Sequence, residues 1–326
     1  MREQSLQASS PRWNSWKVYS LAGGGLFTAA LVVVLTVAPV RAWAESLLAI
    51  FRVEHFTVLE LNPDATTNLQ NNQLLNQTVS HILSDEVTVT QAPQKPRPVA
   101  DGATASRLAG FNVKLLTDQQ PVSLLLQSGA AAQMKLDRDH LQTLLDEAGR
   151  TDLKIPASVD GAILGFRIPP GVMASYGNCG NMAPHALGSA RPSPAGKSEQ
   201  STPPQPADAT CITLMQLPSP TVSAPSDLDP AQIAQVALQF LGMSANDAAS
   251  FTQTVDWTST LVLPVARGQS VYEQLPVNGN EGVLLRPRGS SPADSFALMW
   301  VDGGVVYALN GIGDDTTALN LASQLQ

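Results

Sequence analysis

Residues 18–40 carry no charged side chain and are bounded by Lys17 and Arg41. This stretch limits the chain more than any other. As a helix rising about 1.5 Å per residue it covers roughly 35 Å, enough to cross the ~30 Å hydrocarbon layer of a bilayer. A helix also closes its own backbone hydrogen bonds where lipid offers none. Trp13 and Trp16 precede the stretch and Trp43 follows it, as expected for indoles at the two membrane interfaces. The leading tail, residues 1–17, holds Arg2, Arg12 and Lys17 against Glu3. The positive-inside bias then keeps this tail in the cytoplasm and sends the long remainder outside. Residues 18–44 are accordingly expected to be a transmembrane helix.

A cleaved signal peptide is the competing expectation. A basic start, the apolar centre 26–38, Pro39 and the small-x-small sequence Ala42-Trp43-Ala44 are all present. The apolar run exceeds the ~7–15 residues usual for such a centre. The apolar residues 46–51 moreover look like a continuation of the helix. A retained anchor is the favoured reading, with secretion after cleavage as the alternative. Both put residue 45 onward outside the cytoplasm.

In an exported chain, the two cysteines, Cys179 and Cys211, are expected to be joined. The loop so closed would contribute about 3–4 kcal/mol by chain-entropy reasoning. It would staple the ends of an insertion rich in Pro, Ser, Ala and Gly. Composition excludes other functions. A formal charge of −8 with no basic cluster is wrong for a nucleic-acid binder. An aromatic content of 5% leaves few stacking platforms, while 44% hydrophobic residues suffice for a core.

Residues 91–106, 183–210 and 218–229 are rich in Pro, Ser and small residues and read as linkers. They divide the exported part into a first α+β region (45–182), a Pro/Ser-rich loop or insertion (183–229) and a C-terminal α+β domain (230–326). In the first region, alternation predicts strands at 52–61, 112–116, 122–127 and 162–168. Helical spacing predicts helices at 68–84 and 137–148, with Asp137 as cap and Gly149 as stop. In the second, helices are expected at 230–241 and after the capping residue Ser244, and a closing helix at 316–325 behind Asp314 and Asp315. Short strands are expected at 261–265, 271–275 and 282–285. Asp302-Gly303-Gly304 predicts a hairpin between strands 296–301 and 305–309. Short helices beside antiparallel strands define the α+β class.

The residues for catalysis are hard to find. The four histidines, His55, His81, His140 and His185, do not share a metal-ligand spacing. There is no Gly-x-Ser-x-Gly elbow, Ser-x-x-Lys motif or P-loop. The carboxylate pairs Asp137/Asp139, Asp146/Glu147 and Asp314/Asp315 read as solvated or helix-terminal groups, not as a desolvated acid–base pair. No catalytic, cofactor-binding or metal-binding residue is therefore assigned, and a non-enzymatic protein is expected. Trp257 and Trp300, both in predicted strands, are the candidate ligand-lining residues, although core packing is the plainer role for each.

Four segments together carry a resemblance: 255–264, 277–282, 298–309 and the helix 318–325, joined by Pro39-Val40-Arg41-Ala42-Trp43-Ala44 at the anchor exit. They resemble an uncharacterised extracytoplasmic domain found at the C-terminus of bacterial membrane-anchored anti-sigma-factor-like proteins. The shared residues are structural, so the resemblance transfers no site residues. Those proteins place a zinc-binding His/Cys domain before the membrane helix. Here that position holds only about 17 residues without Cys or His, too few to fold around a sigma factor. The resemblance implies a sensory or accessory module of envelope regulation with a protein partner and no cofactor. The alternative is a lipid- or lipoprotein-binding carrier, with Trp257 or Trp300 lining an apolar cavity.

Overall fold

The computed structural model describes residues 48–62, 78, 82, 84–179, 211–289 and 294–326. The expected anchor (18–44), the insertion 183–210 and most of the expected helix 68–84 lie outside the described residues. Among the described residues, no helix is long and apolar enough to cross a membrane. The fold is α+β with mainly antiparallel sheets, as the element pattern predicts.

Fifteen strands and five α-helices follow one another along the described chain. Strands β1 (Leu48–Arg52), β2 (His55–Leu61), β3 (Val87–Gln91) and β4 (Arg97–Pro98) lead to helix α1 (Gly102–Ala109). Next come β5 (Ser123–Gln127), β6 (Ala130–Lys135), α2 (Arg138–Glu147), β7 (Ile163–Ile168), β8 (Gly171–Tyr176), β9 (Ile212–Pro218) and β10 (Thr221–Ala224). Helices α3 (Pro230–Phe240) and α4 (Ala245–Thr254) precede β11 (Thr260–Ala266), β12 (Ser270–Val277), β13 (Asn280–Pro287), β14 (Ser295–Asp302) and β15 (Val305–Ile312). Helix α5 (Asp315–Ser323) closes the chain.

Eight strands form one sheet in the order β12-β13-β14-β15-β9-β8-β5-β4, and five form another in the order β1-β10-β7-β6-β3. The two are continuous where β5 runs into β6, β7 into β8 and β9 into β10. The changeover falls at Ser128-Gly129, Pro169-Pro170 and Ser219-Pro220, and at the last two prolines withhold ladder N–H groups. At this crossing the backbones come very close. A Cβ on Gly129 would lie 2.8 Å from the Ile168 carbonyl oxygen, and one on Gly171 would lie 2.9 Å from that of Gln216.

The eight-stranded sheet is covered on both faces. Alternation along β14 sends Phe296, Leu298 and Trp300 into a core roofed by α1 and α5, and Met299 and Val301 into a second core. That second core is closed by β2 and β11, which pair in parallel and supply Phe56, Leu261 and Leu263. Burial on both faces explains the unbroken apolar run at 296–301. On the five-stranded side, α2 and α3 pack through Leu144, Leu145, Val236 and Phe240, while Leu136, Val159, Ala224 and Leu228 fill the space beneath.

Several expectations change. Residues 48–52 form a strand, not a continued helix: β1 pairs with β10, which the neighbouring apolar run could not disclose. Residues 112–116 do not form a strand, since their backbone is held by the end of the chain and by a side chain: Leu115 exchanges hydrogen bonds with Gln326, and Gln216 grips Lys114. The linker-like stretches 91–106 and 218–229 contain β4, the start of α1 and the whole of β10. The eight-stranded sheet also takes strands from both sides of the boundary expected at residue 230, through the pairing of β9 with β15.

A cleft at the edge of the eight-stranded sheet

Among the described residues an open concave surface lies beside β12, and local sequence explains its position. Asn278 and Gly279 take left-handed conformations, with φ of 50° and 85°. An Asn-Gly pair is suited to a two-residue turn whose twist matches the strands. The Asn278 amide donates to the Ala322 carbonyl at 2.9 Å, so the turn is moored to the end of α5. The hairpin β12–β13 therefore has one register, with Val277 opposite Asn280.

That register fixes which backbone groups are used. Val277, Leu275, Glu273 and Val271 direct theirs to β13; Pro276, Gln274, Tyr272 and Ser270 turn theirs outward. Among the described residues β12 is the last strand of its sheet. Val271 and Tyr272 are exposed there. Pro276, which has no N–H, and the charged Glu273 limit indiscriminate pairing along this edge.

Behind the hairpin, Phe56 of β2 with Gln274, Leu275, Pro276, Glu281 and Val283 line an open cleft of 340 Å³. A Cβ on Gly282 in its floor would stand 2.6 Å from Val277 Cγ2, so the floor requires a residue without a side chain. The rim carries the exposed side chains of His55 and Glu281, with Nδ1 and Oε2 3.9 Å apart.

The candidate ligand-lining tryptophans lie elsewhere. Trp300 is 1% exposed and stacks on Tyr307 with ring centroids 5.0 Å apart. Its indole belongs to the core beneath α5. Trp257 lies in the turn between α4 and β11 and not in a strand, because its indole N–H donates to the Thr252 carbonyl at 2.9 Å and its ring meets Phe251 edge-on. Neither lines the cleft.

Cys179 and Cys211 form a disulfide, with Cα atoms 4.6 Å apart. The bridge follows from the register of β8 and β9, which puts Tyr176 opposite Ile212 and leaves the two cysteines just beyond the paired ends. It closes the mouth of the insertion, as expected from sequence.

The titratable groups have structural work. Asp137 caps α2; the N–H groups of His140 and Asp139 hold its carboxyl below the usual range. Asp314 caps α5 and is lowered by the hydroxyl and N–H of Thr317. Asp315 accepts from Arg286 at 2.5 Å, Glu147 from Thr78 and Asp146 from Gln142. A general acid needs the opposite, a carboxyl pushed upward. Burial, with Asp302 nearby, pushes the Tyr307 phenol up to about 12. Lys114 pairs with Asp302 at 3.0 Å and lies 5.9 Å from the centre of the Tyr307 ring.

Of the histidines, His55 sits at the cleft rim, while His81 and His185 lie outside the described residues. Glu86, Asp137 and His140 bring ligand atoms within 4.8 Å of one another. Sequence reading assigned no metal residue, yet half the signal was available: Asp137 and His140 are three apart at a helix start, a spacing that puts both on one face. Glu86 comes from a separate element.

No family model matches this chain, and comparison with curated proteins and with solved structures gives no match.

Proposed function

We propose that this protein is an exported, membrane-tethered, non-enzymatic module of envelope regulation, comparable to the outer part of an anti-sigma-factor-like protein. In this reading residues 18–44 anchor the chain and residues 45–326 work outside the cytoplasm. The Cys179–Cys211 disulfide is the observation that carries it, because such bonds form and persist in oxidising compartments. The uncharged segment 18–40 supplies the route of export.

The module binds an extended segment of an envelope protein, which adds as a strand to β12 and rests an apolar side chain in the cleft beside Phe56. Outward backbone groups at Ser270, Tyr272 and Gln274 supply the ladder, and the cleft supplies selectivity. A lipid carrier would need Trp257 or Trp300 on a cavity wall, and the enclosure of Trp300 against Tyr307 favours the protein partner.

A photo-crosslinking residue at Tyr272 tests this reading. It should yield one discrete adduct whose mapped site is an extended segment of an envelope protein. The same residue at exposed Val122, on β12's opposite side of the molecule's strand order, should not. Gln274→Pro removes an outward N–H without touching the ladder to β13, and should abolish the adduct. Equal labelling from Val122, or indifference to Gln274→Pro, would count against the reading.

A further inference from the structure

Strand β3 begins directly after Glu86, and α2 begins directly after Asp137. Their junction gathers three potential ligands. His140 Nδ1 lies 3.3 Å from Glu86 Oε1 and 3.8 Å from Asp137 Oδ2. Around a four-coordinate ion with bonds of ~2.0–2.2 Å, ligand atoms stand about 3.3–3.6 Å apart. The two distances to His140 thus approach the spacing of an occupied site, and all three ligand atoms lie within 4.8 Å of one another.

Each ligand is oriented by something other than a metal. Asp137 Oδ1 accepts the N–H groups of Asp139 and His140, which turns Oδ2 toward the imidazole. One helical turn fixes His140 over that carboxylate. Glu86 arrives from a separate element, and its side chain is only 15% exposed. A carboxylate set back from water in this way gains from a cation beside it. Lys135 acts on Asp137 from the end of β6. A divalent ion would match the two carboxylates in charge.

We infer that Glu86, Asp137 and His140 form a binding site for a divalent cation of the zinc class. One imidazole nitrogen with two carboxylate oxygens is a borderline donor set that suits Zn²⁺, with water completing the coordination. The ion clamps the entry of β3 to the first turn of α2. The inference is independent of the export and partner-binding reading.

Isothermal titration of the metal-stripped full chain, in detergent, with zinc sulfate tests it. One Zn²⁺ per chain should bind, and cobalt(II) should give a visible absorption at the same stoichiometry. His140→Ala and Glu86→Gln should each weaken zinc binding by roughly tenfold or more. His55→Ala, at the cleft rim, should leave it unchanged. His140 is 57% exposed, so its truncation spares the core, and circular dichroism verifies the fold of each variant. Zinc should raise the melting temperature of the wild type and not of His140→Ala. Zinc affinity indifferent to both substitutions, or no saturation below about 1 mM, overturns the inference.

Discussion

Replacing Gln216 by Met should cost more stability than any polar-to-apolar change of similar volume on the surface. Gln216 is fully buried on β9, on the face that also carries Leu214. Its Oε1 accepts the Lys114 N–H at 2.8 Å and its Nε2 donates to the Lys114 carbonyl at 2.7 Å. One side chain thus performs the two-bond exchange that a neighbouring strand would otherwise make, and it does so across 102 residues of sequence. Met preserves volume and removes both bonds. Each partly buried backbone group left without a partner costs about 1–3 kcal/mol, so the loss should be about 2–6 kcal/mol. At roughly 2–4 °C per kcal/mol for a domain of this size, the melting temperature should fall by roughly 4–24 °C. Gln274→Met on the exposed edge of β12 is the control and should shift it by about 1 °C or less. Differential scanning calorimetry gives both numbers, and amide exchange at Lys114 should accelerate in Gln216→Met alone. A melting temperature no lower than that of the control, with the Lys114 amide still protected, would refute the reasoning.

Removing the disulfide through the double change Cys179→Ser and Cys211→Ser should lower stability by about 3–4 kcal/mol in guanidinium titration; a loss near zero would mean that the insertion is not closed by this bridge. Gly311 lies opposite Phe296 across β14 and β15, and a Cβ there would meet the ring at 2.8 Å. Gly311→Ala should therefore cost about 1–3 kcal/mol, and Phe296→Leu in the same chain should recover part of it; absence of any recovery would place the clash elsewhere. The Tyr307 phenol, raised from 10.0 to about 12, holds its proton more tightly folded than unfolded. Its stabilisation is complete below pH 10 and is lost as pH rises toward 12. Tyr307→Phe should flatten that alkaline decline as followed by circular dichroism, with a remainder due to Tyr176, which burial also raises; an unchanged slope would contradict the assignment.

What could be read directly from the sequence was local. Asp137 and Ser244 cap the helices they were expected to cap, because a cap needs only the next two or three N–H groups, and Asp314, expected only near the positive end of the closing helix, caps it as well. Gly303 and Gly304 make the β14–β15 turn at φ of 57° and 76°, as the dipeptide requires. The cysteine pair was legible because a closed loop of small and polar residues has few other uses for two thiols. The elements that sequence misplaced are those decided by distant partners. Residues 48–52 are apolar in either form, and only β10 makes them a strand. Residues 112–116 alternate like a strand but meet Gln216 and Gln326 instead of a ladder. Trp300 and Trp257 were equivalent by composition; the stacking of Tyr307 on one and the Thr252 carbonyl under the other separate them. Of the cleft, sequence could show only the Asn278-Gly279 turn, since Phe56 reaches the hairpin through the packing of β2 beneath the sheet.

Topology is the claim on which the functional reading stands, and an alkaline phosphatase fused behind Gln326 measures it in intact cells. Phosphatase needs disulfides formed outside the cytoplasm to become active. The account predicts an active enzyme in the membrane fraction, with Cys179 and Cys211 resistant to alkylation until reduced. An inactive phosphatase, with both cysteines alkylated without reduction, would contradict it.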